Sequence, residues 1–263
     1  YLPAVFIYKD IQALDHMPGI IDQYRPSPQM DQAFQHESGH YIFKYTLGQS
    51  LTYLPGFAIG HIWAKNSTQY PADGYAYPYQ AATYFYALCF GLLGLFVLFS
   101  LLKNSFSIVA ANWAIFALAA GTNLLEYASY TPMMTHISLF TLYVLLIRQS
   151  ILFWKKPSTW KAVVIGLLVG WLALIRPTEL IAVLIPLLWR VEISKASIQS
   201  RWNSIKGQWK KIGLAALAGA LVLFLQSIYW KVAGGEWIIY SYQDQGFSWL
   251  KPHIKQVLIS YRK

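Results

Sequence analysis

Residues 80–102 read QAATYFYALCFGLLGLFVLFSLL, twenty-three consecutive positions without a charge. At about 1.5 Å per residue, a helix of that length covers the roughly 30 Å of hydrocarbon in a bilayer. Tyr79, Tyr84 and Tyr86 crowd its start, as an interfacial aromatic belt does, and Lys103-Asn104 closes it. The predicted fold class is therefore all-α, a polytopic transmembrane helical protein.

Working outward, further apolar runs lie at 106–121, 133–154, 160–175, 180–189 and 212–230. The runs at 160–175 and 180–189 are each shorter than the ~20 residues of a perpendicular span. They flank Arg176-Pro177-Thr178-Glu179, so they are read as two short helices or one broken one, with the break buried in protein or facing water. Residues 79–230 thus form a helical bundle of about five to six spans or half-spans. Residues 1–78, broken by seven prolines, are one long extramembrane loop with short juxtamembrane helices. Within it, the more apolar stretch 45–61 is expected to be an amphipathic helix on the membrane surface. Residues 231–263 form an aromatic, amphipathic tail. The chain begins at Tyr1 with no signal-peptide pattern and ends at Ser260-Tyr261-Arg262-Lys263, and it is read as a piece of a longer membrane protein.

Composition supports lipid as the solvent. Only 12% of the 263 residues are charged and 56% are hydrophobic, against about a quarter charged in a soluble domain. The single cysteine, Cys89, lies inside an apolar run, which leaves no disulfide framework and no cysteine-rich metal site. The net charge of +10 is uneven: residues 1–78 carry −2 and the remainder +12. The excess sits in short gaps between apolar runs, at Lys103, at Lys155, Lys156 and Lys161, and in the loop 190–211. Those three gaps fall on one side if each run crosses, which is the cytoplasmic side. Such placement argues against nucleic-acid binding, which needs the charge on a folded surface. It predicts a multi-pass protein of the bacterial cytoplasmic (inner) membrane with residues 1–78 extracytoplasmic.

Four pieces then share the outer face, each with ionisable groups: Lys9, Asp10, Asp15, His16 and Lys44; Glu126 and Tyr127, with His136 just inside the next run; Arg176 and Glu179; Asp244 and His253. Charges near a span are costly unless paired or hydrated, so each is a functional candidate. Structural alternatives stay open. Arg176 and Glu179 are three apart, suited to a helical ion pair; His136 suits a helix end; Glu126 suits a water-facing position; Asp10 suits a cap for a helix beginning at Ile11.

His36-Glu37-Ser38-Gly39-His40 matches the H-E-x-x-H pattern of zinc proteases. That chemistry needs both histidines on one helical face and a third ligand. Gly39 disfavours a helix, and Tyr41-Ile42-Phe43-Lys44-Tyr45 reads better as a strand after a turn. The glycines of Gly166-x-x-x-Gly170 and Gly91-x-x-Gly94 are explained by close helix packing. The aromatics Trp237, Tyr240, Tyr242, Phe247 and Trp249 suit either sugar stacking or a membrane interface. Nothing matches a phosphate-binding glycine loop, so a cytosolic nucleotide-sugar donor has no visible site.

Several segments together resemble bacterial glycosyltransferases of the membrane-embedded C superfamily. They are YLPAVFIYKD at 1–10, KYTLG at 44–48, DGYAYPYQ at 73–80, Met134-Thr135-His136, Ile175-Arg176-Pro177-Thr178, Gly246-Phe247-Ser248-Trp249 and Pro252-His253-Ile254. The resemblance implies a polytopic helical fold with a long first outer loop. It also implies a polyprenyl-phosphate-linked sugar as donor, a glycan, lipid or protein acceptor, and a catalytic acid in that first loop. The role is carried to Asp10, the nearest carboxylate to where the family's acid lies. Transfer from a lipid phosphate is displacement at the anomeric carbon, through an oxocarbenium-like transition state. A carboxylate helps the acceptor lose its proton, and a fixed cation stabilises the leaving phosphate. Arg176 suits the cation, with Lys9, Lys44, Glu126, Tyr127, His136 and His253 as substrate-binding candidates. No cofactor is called for, and a divalent cation is compatible. Two other expectations are weighed beside this one: an envelope-lipid transporter or flippase, which should show internal repeats, and a membrane zinc protease at 36–40.

Overall fold

The computed structural model describes residues 1–26, 30 and 32–241. It is mainly helical. The chain runs α1 (Leu2–Phe6), α2 (Met17–Tyr24), a hairpin of β1 (Ala33–Gln35) and β2 (Tyr41–Phe43), α3 (Gly48–Lys65), α4 (Tyr77–Leu102), α5 (Ile108–Gly121), α6 (Leu124–Ser129) and α7 (Thr135–Lys155). It continues with α8 (Thr159–Ile175), a 3-10 turn (Pro177–Val183), α9 (Leu184–Leu188), α10 (Lys195–Gly207) and α11 (Trp209–Gly234). The hairpin is antiparallel, pairing Ala33 with Phe43 and Gln35 with Tyr41. It departs from the all-α expectation, and it falls where β-branched and aromatic residues follow the turn at Gly39, whose φ is +83.

Three helices, α4, α7 and α11, are long and apolar enough to cross a membrane. α5 and α8 are apolar but only 14 and 17 residues long. α4 and α11 leave most of their apolar surface outside the bundle: Phe85, Phe96 and Leu221 are 69%, 69% and 59% exposed. Helices apolar on every face, with large side chains turned outward, suit lipid rather than water.

Small residues set the packing. A Cβ on Gly166 would lie 1.9 Å from the Ala215 carbonyl oxygen, and one on Gly170 would lie 2.7 Å from that of Gly219. Sequence order rises on both helices at these contacts, so α8 and α11 run parallel, backbone against backbone. By the same test α4 and α7 are parallel, with Gly91 against Ile137 and Gly94 against Thr141. α3 runs antiparallel to α4, with Gly56 on Thr83 and Gly60 on Tyr79. Such approach lets van der Waals contact, rather than hydrophobic exclusion, hold helices together.

α3 differs from the surface helix expected over 45–61. Its first residue abuts the last turn of α8, where a Cβ on Gly48 would lie 2.5 Å from the Ile175 amide nitrogen. Thr46 Oγ1 donates to the Ile175 carbonyl at 2.9 Å, and Trp171 Nε1 donates to Thr52 Oγ1 at 2.8 Å. α3 is an integral part of the bundle, burying Tyr53, Phe57 and Ala64. The core proper lies between α7, α8 and the 3-10 turn, around Leu146, Phe153, Leu172 and Ile175.

Candidate functional site

Proline sets the site. Pro177 disfavours helical backbone in the residue before it, so Arg176 is extended at φ −143, ψ 120 and α8 stops there. The chain resumes as a 3-10 turn, and Arg176 stands half-buried at the break, as the sequence predicts. The expected ion pair with Glu179 is not formed. The Glu179 carboxylate instead accepts the hydroxyl proton of Tyr143 on α7. An extended residue 176 takes the two side chains out of the i, i+3 helical register that the pair needs. Among the described residues no carboxylate lies within 4.0 Å of Arg176.

The N-terminus of α7 faces this cation. Gly48 abuts Ile175 while the next residue, Gln49, donates through Nε2 to the Met133 and Met134 carbonyls at 3.4 Å each, which brings the start of α7 to the Arg176 end of α8, and His136 stacks on Tyr127 of α6 with ring centroids 3.8 Å apart. Glu126, next to Tyr127, is exposed. No side chain caps α7, so its first-turn amides keep their positive end open. Behind them, Gln49 Oε1 and Thr135 Oγ1 are buried without a hydrogen-bond partner among the described residues. The Tyr53 hydroxyl, beside them, is taken up by the Pro132 carbonyl at 2.5 Å. The sequence gives Gln49 no signal beyond adjacency to Gly48, and Thr135 only its place in Met134-Thr135-His136, where no role falls to it.

The first loop forms a separate polar group. Asp10 Oδ1 accepts the Ala13 amide at 2.9 Å and the Gln12 amide at 3.3 Å, and Oδ2 accepts the Asp15 amide at 2.8 Å. It organises a turn, not a helix starting at Ile11; α2 begins only at Met17. Left-handed backbone at Lys9 and Leu14 brackets that turn, and Lys9 is exposed. Burial pushes the Asp10 carboxyl up, but the amides of Asp15, Ala13, Leu14 and Gln12 outweigh it and hold its pKa below the ordinary value. His16 Nδ1 is 4.0 Å from Asp10 Oδ2, and its ring stacks on Tyr8 at 4.0 Å. Burial lowers the His16 pKa, with Asp10 opposing. Nearby, the Tyr24 hydroxyl donates to Asp73 at 2.5 Å, and Asp73 also accepts the Tyr75 and Ala76 amides at 2.9 Å each, which anchors the start of α4. Burial pushes the Tyr75 hydroxyl up to about 12.

Asp10 belongs to this first-loop group, and His136 and Arg176 to the ends of α7 and α8. No contact among the described residues joins Asp10 to either. The reason lies in the helix offsets. Gly91 of α4 packs at Ile137, so the start of α4 rises about 20 Å beyond the N-terminus of α7, at about 1.5 Å per residue. The Tyr8–His16–Tyr75 cluster rides on that projecting end. Lys44 lies on the near side of the loop, after β2, with Nζ 6.0 Å from the Tyr45 ring centroid. His253 and Asp244 lie outside the described residues.

The pattern at 36–40 has no zinc-protease geometry. It is the turn of the hairpin, closed by the His36 amide donating to the His40 carbonyl at 2.8 Å. His36 Nδ1 is engaged with Ser38 Oγ at 3.2 Å, and His40 Nδ1 meets the Ala233 carbonyl at 3.0 Å. Among the described residues no three His, Cys, Asp or Glu side chains group as metal ligands.

No known protein family, curated protein or solved structure matches this chain.

Proposed function

We propose that the chain is a membrane-embedded glycosyltransferase that takes its sugar from a polyprenyl-phosphate donor. The observation that carries this reading is Arg176, an extended, half-buried cation with no carboxylate partner among the described residues, at the end of an apolar helix. Such a cation is costly near hydrocarbon unless an anion or water meets it. A phosphate carried on a lipid tail arrives at that level of the bilayer.

In this reading the phosphate sits between Arg176, His136 and the first turn of α7, whose amides favour an anion. As the bond from the anomeric carbon to the phosphate oxygen lengthens, charge grows on that oxygen, and Arg176 stabilises it. The acceptor hydroxyl attacks the opposite face of the anomeric carbon and loses its proton. Glu179 already holds the Tyr143 hydroxyl, so Glu126, exposed beside Tyr127, is the carboxylate presented for that proton. Asp10 is less suited to it, because the backbone amides of its turn stabilise its charge and weaken it as a base.

α4 and α7 run one way, α8 and α11 the other, as alternating crossings with Lys103, Lys155 and the loop 190–211 on a common side require. The reading places the chain as a multi-pass protein of a bacterial cytoplasmic membrane, its first loop outside. The direct test is to incubate membranes containing the chain with radiolabelled polyprenyl-phosphate sugars. Label should move from the lipid to an acceptor. Failure across a panel of such donors, with the chain inserted, overturns the reading.

A further inference from the structure

A second polar site lies at the other end of the bundle. The last turn of α7, the segment after α9 and the face of α10 enclose a cavity of about 310 Å³. Its walls bring together Lys155, Arg190 and Arg201 with Ser200, between the rings of Trp154 and Trp189. Among the described residues no acidic side chain lines it and no carboxylate lies within 4.0 Å of these three cations.

Arg201 is the most constrained. Its guanidinium stacks 4.0 Å over the Trp154 ring and donates to the Trp189 carbonyl. Burial lowers its pKa, yet a guanidinium stays charged in proteins. Arg190 is held at the rim in left-handed backbone, φ +58, an uncommon state for a non-glycine residue. A planar guanidinium fixed on an aromatic face keeps its remaining N–H groups aimed in one direction, the geometry that recognises phosphate oxygens.

The surroundings say what kind of phosphate. Ile198 and Trp202 on α10 are 56% and 53% exposed and form an apolar stripe beside the cavity face, while Lys206 lies over the Trp202 ring at 5.4 Å. Apolar side chains exposed beside a cationic cavity suit a phosphate that carries acyl chains, which those side chains can cover. The cavity volume is at the small end of ligand sites. We infer that this cavity binds the phosphate of an anionic phospholipid headgroup, held by Arg201, Arg190 and Lys155 between Trp154 and Trp189. This inference stands apart from the glycosyltransferase reading, since it uses none of the residues given a part in transfer and needs no transfer activity.

The test titrates the full chain in detergent with phosphatidylglycerol, phosphatidylcholine or inorganic phosphate, and reads binding by native mass spectrometry. Phosphatidylglycerol should bind well above phosphatidylcholine. The double variant Lys155→Gln/Arg190→Gln changes two exposed side chains outside the apolar core, and should weaken phosphatidylglycerol roughly 30-fold, from two cations near the surface. Arg201→Gln should act in the same direction. The control Lys206→Gln/Lys210→Gln, outside the cavity, should change little. If millimolar inorganic phosphate displaces the lipid from the wild type, the phosphate chemistry stands and its source is soluble. Equal binding of the two lipids, or equal losses in the double variant and the control, overturns the inference.

Discussion

The Tyr143 hydroxyl donates to the Glu179 carboxylate, tying α7 to the 3-10 turn and leaving the neighbouring Arg176 with no ionic partner among the described residues. The contact separates two charges that are three apart in sequence: Glu179 is held by Tyr143, and Arg176 is the group to which the proposed transfer assigns the phosphate. Tyr143→Phe should therefore destabilise the fold by about 1–3 kcal/mol, the cost of leaving a half-buried acceptor unmatched. A lower thermal midpoint of the purified variant checks this, and an unchanged midpoint would remove Glu179 from the scaffold.

Helix packing predicts a contrast between two glycines. Gly166→Ala drives a methyl group into the Ala215 carbonyl and should cost about 1–3 kcal/mol or more, with loss of monodisperse protein. Gly213→Ala, on α11 with nothing within 4 Å, should be neutral or stabilise by up to about 1 kcal/mol. Comparing their melting behaviour in one detergent decides whether α8 and α11 meet backbone to backbone.

The first loop should loosen in acid. Burial lowers the His16 pKa from 6.5, so its contribution to stability is complete above that value and is lost as pH falls through the lowered folded pKa. Asp10, also lowered, adds a second loss below 3.8 with the same sign. In the wild type the midpoint should fall between about pH 7 and pH 5. His16→Phe, which keeps a ring against Tyr8, should flatten that window; a slope as steep as the wild type's would assign the effect elsewhere.

The hairpin geometry predicts that His36→Ala leaves transfer intact and that purified protein holds far less than one equivalent of zinc, as elemental analysis would read. A stoichiometric metal lost in His36→Ala would revive the protease alternative.

How much of this was legible in the sequence follows from the range of the forces involved. The spans at 80–102, 133–154 and 212–230 appear as α4, α7 and α11 because lipid-scale hydrophobicity is written in contiguous residues. Arg176 was legible because Pro177 acts on the residue before it, a local steric effect. The partner of Glu179 was not, since Tyr143 is 36 positions away and only the docking of α7 on α8 brings it near. The offset of Asp10 from Arg176 was equally hidden: it depends on where Gly91 slides along Ile137, a register that periodicity does not encode. Gln49 carries no motif, Thr135 lies in a quoted segment without a role assigned to it, and only the burial of one polar atom on each marks them.

The central claim is that Arg176 serves a lipid phosphate, and the transfer rate of Arg176→Ala in native membranes tests it most directly. Labelled polyprenyl-phosphate sugar would be supplied, with insertion and amount matched to the wild type. The account predicts a loss of roughly 100-fold or more, the scale of removing one fixed charge-stabilising donor, with Arg176→Lys retaining part of the rate because it keeps the charge without the planar fork. An undiminished rate in Arg176→Ala would contradict it.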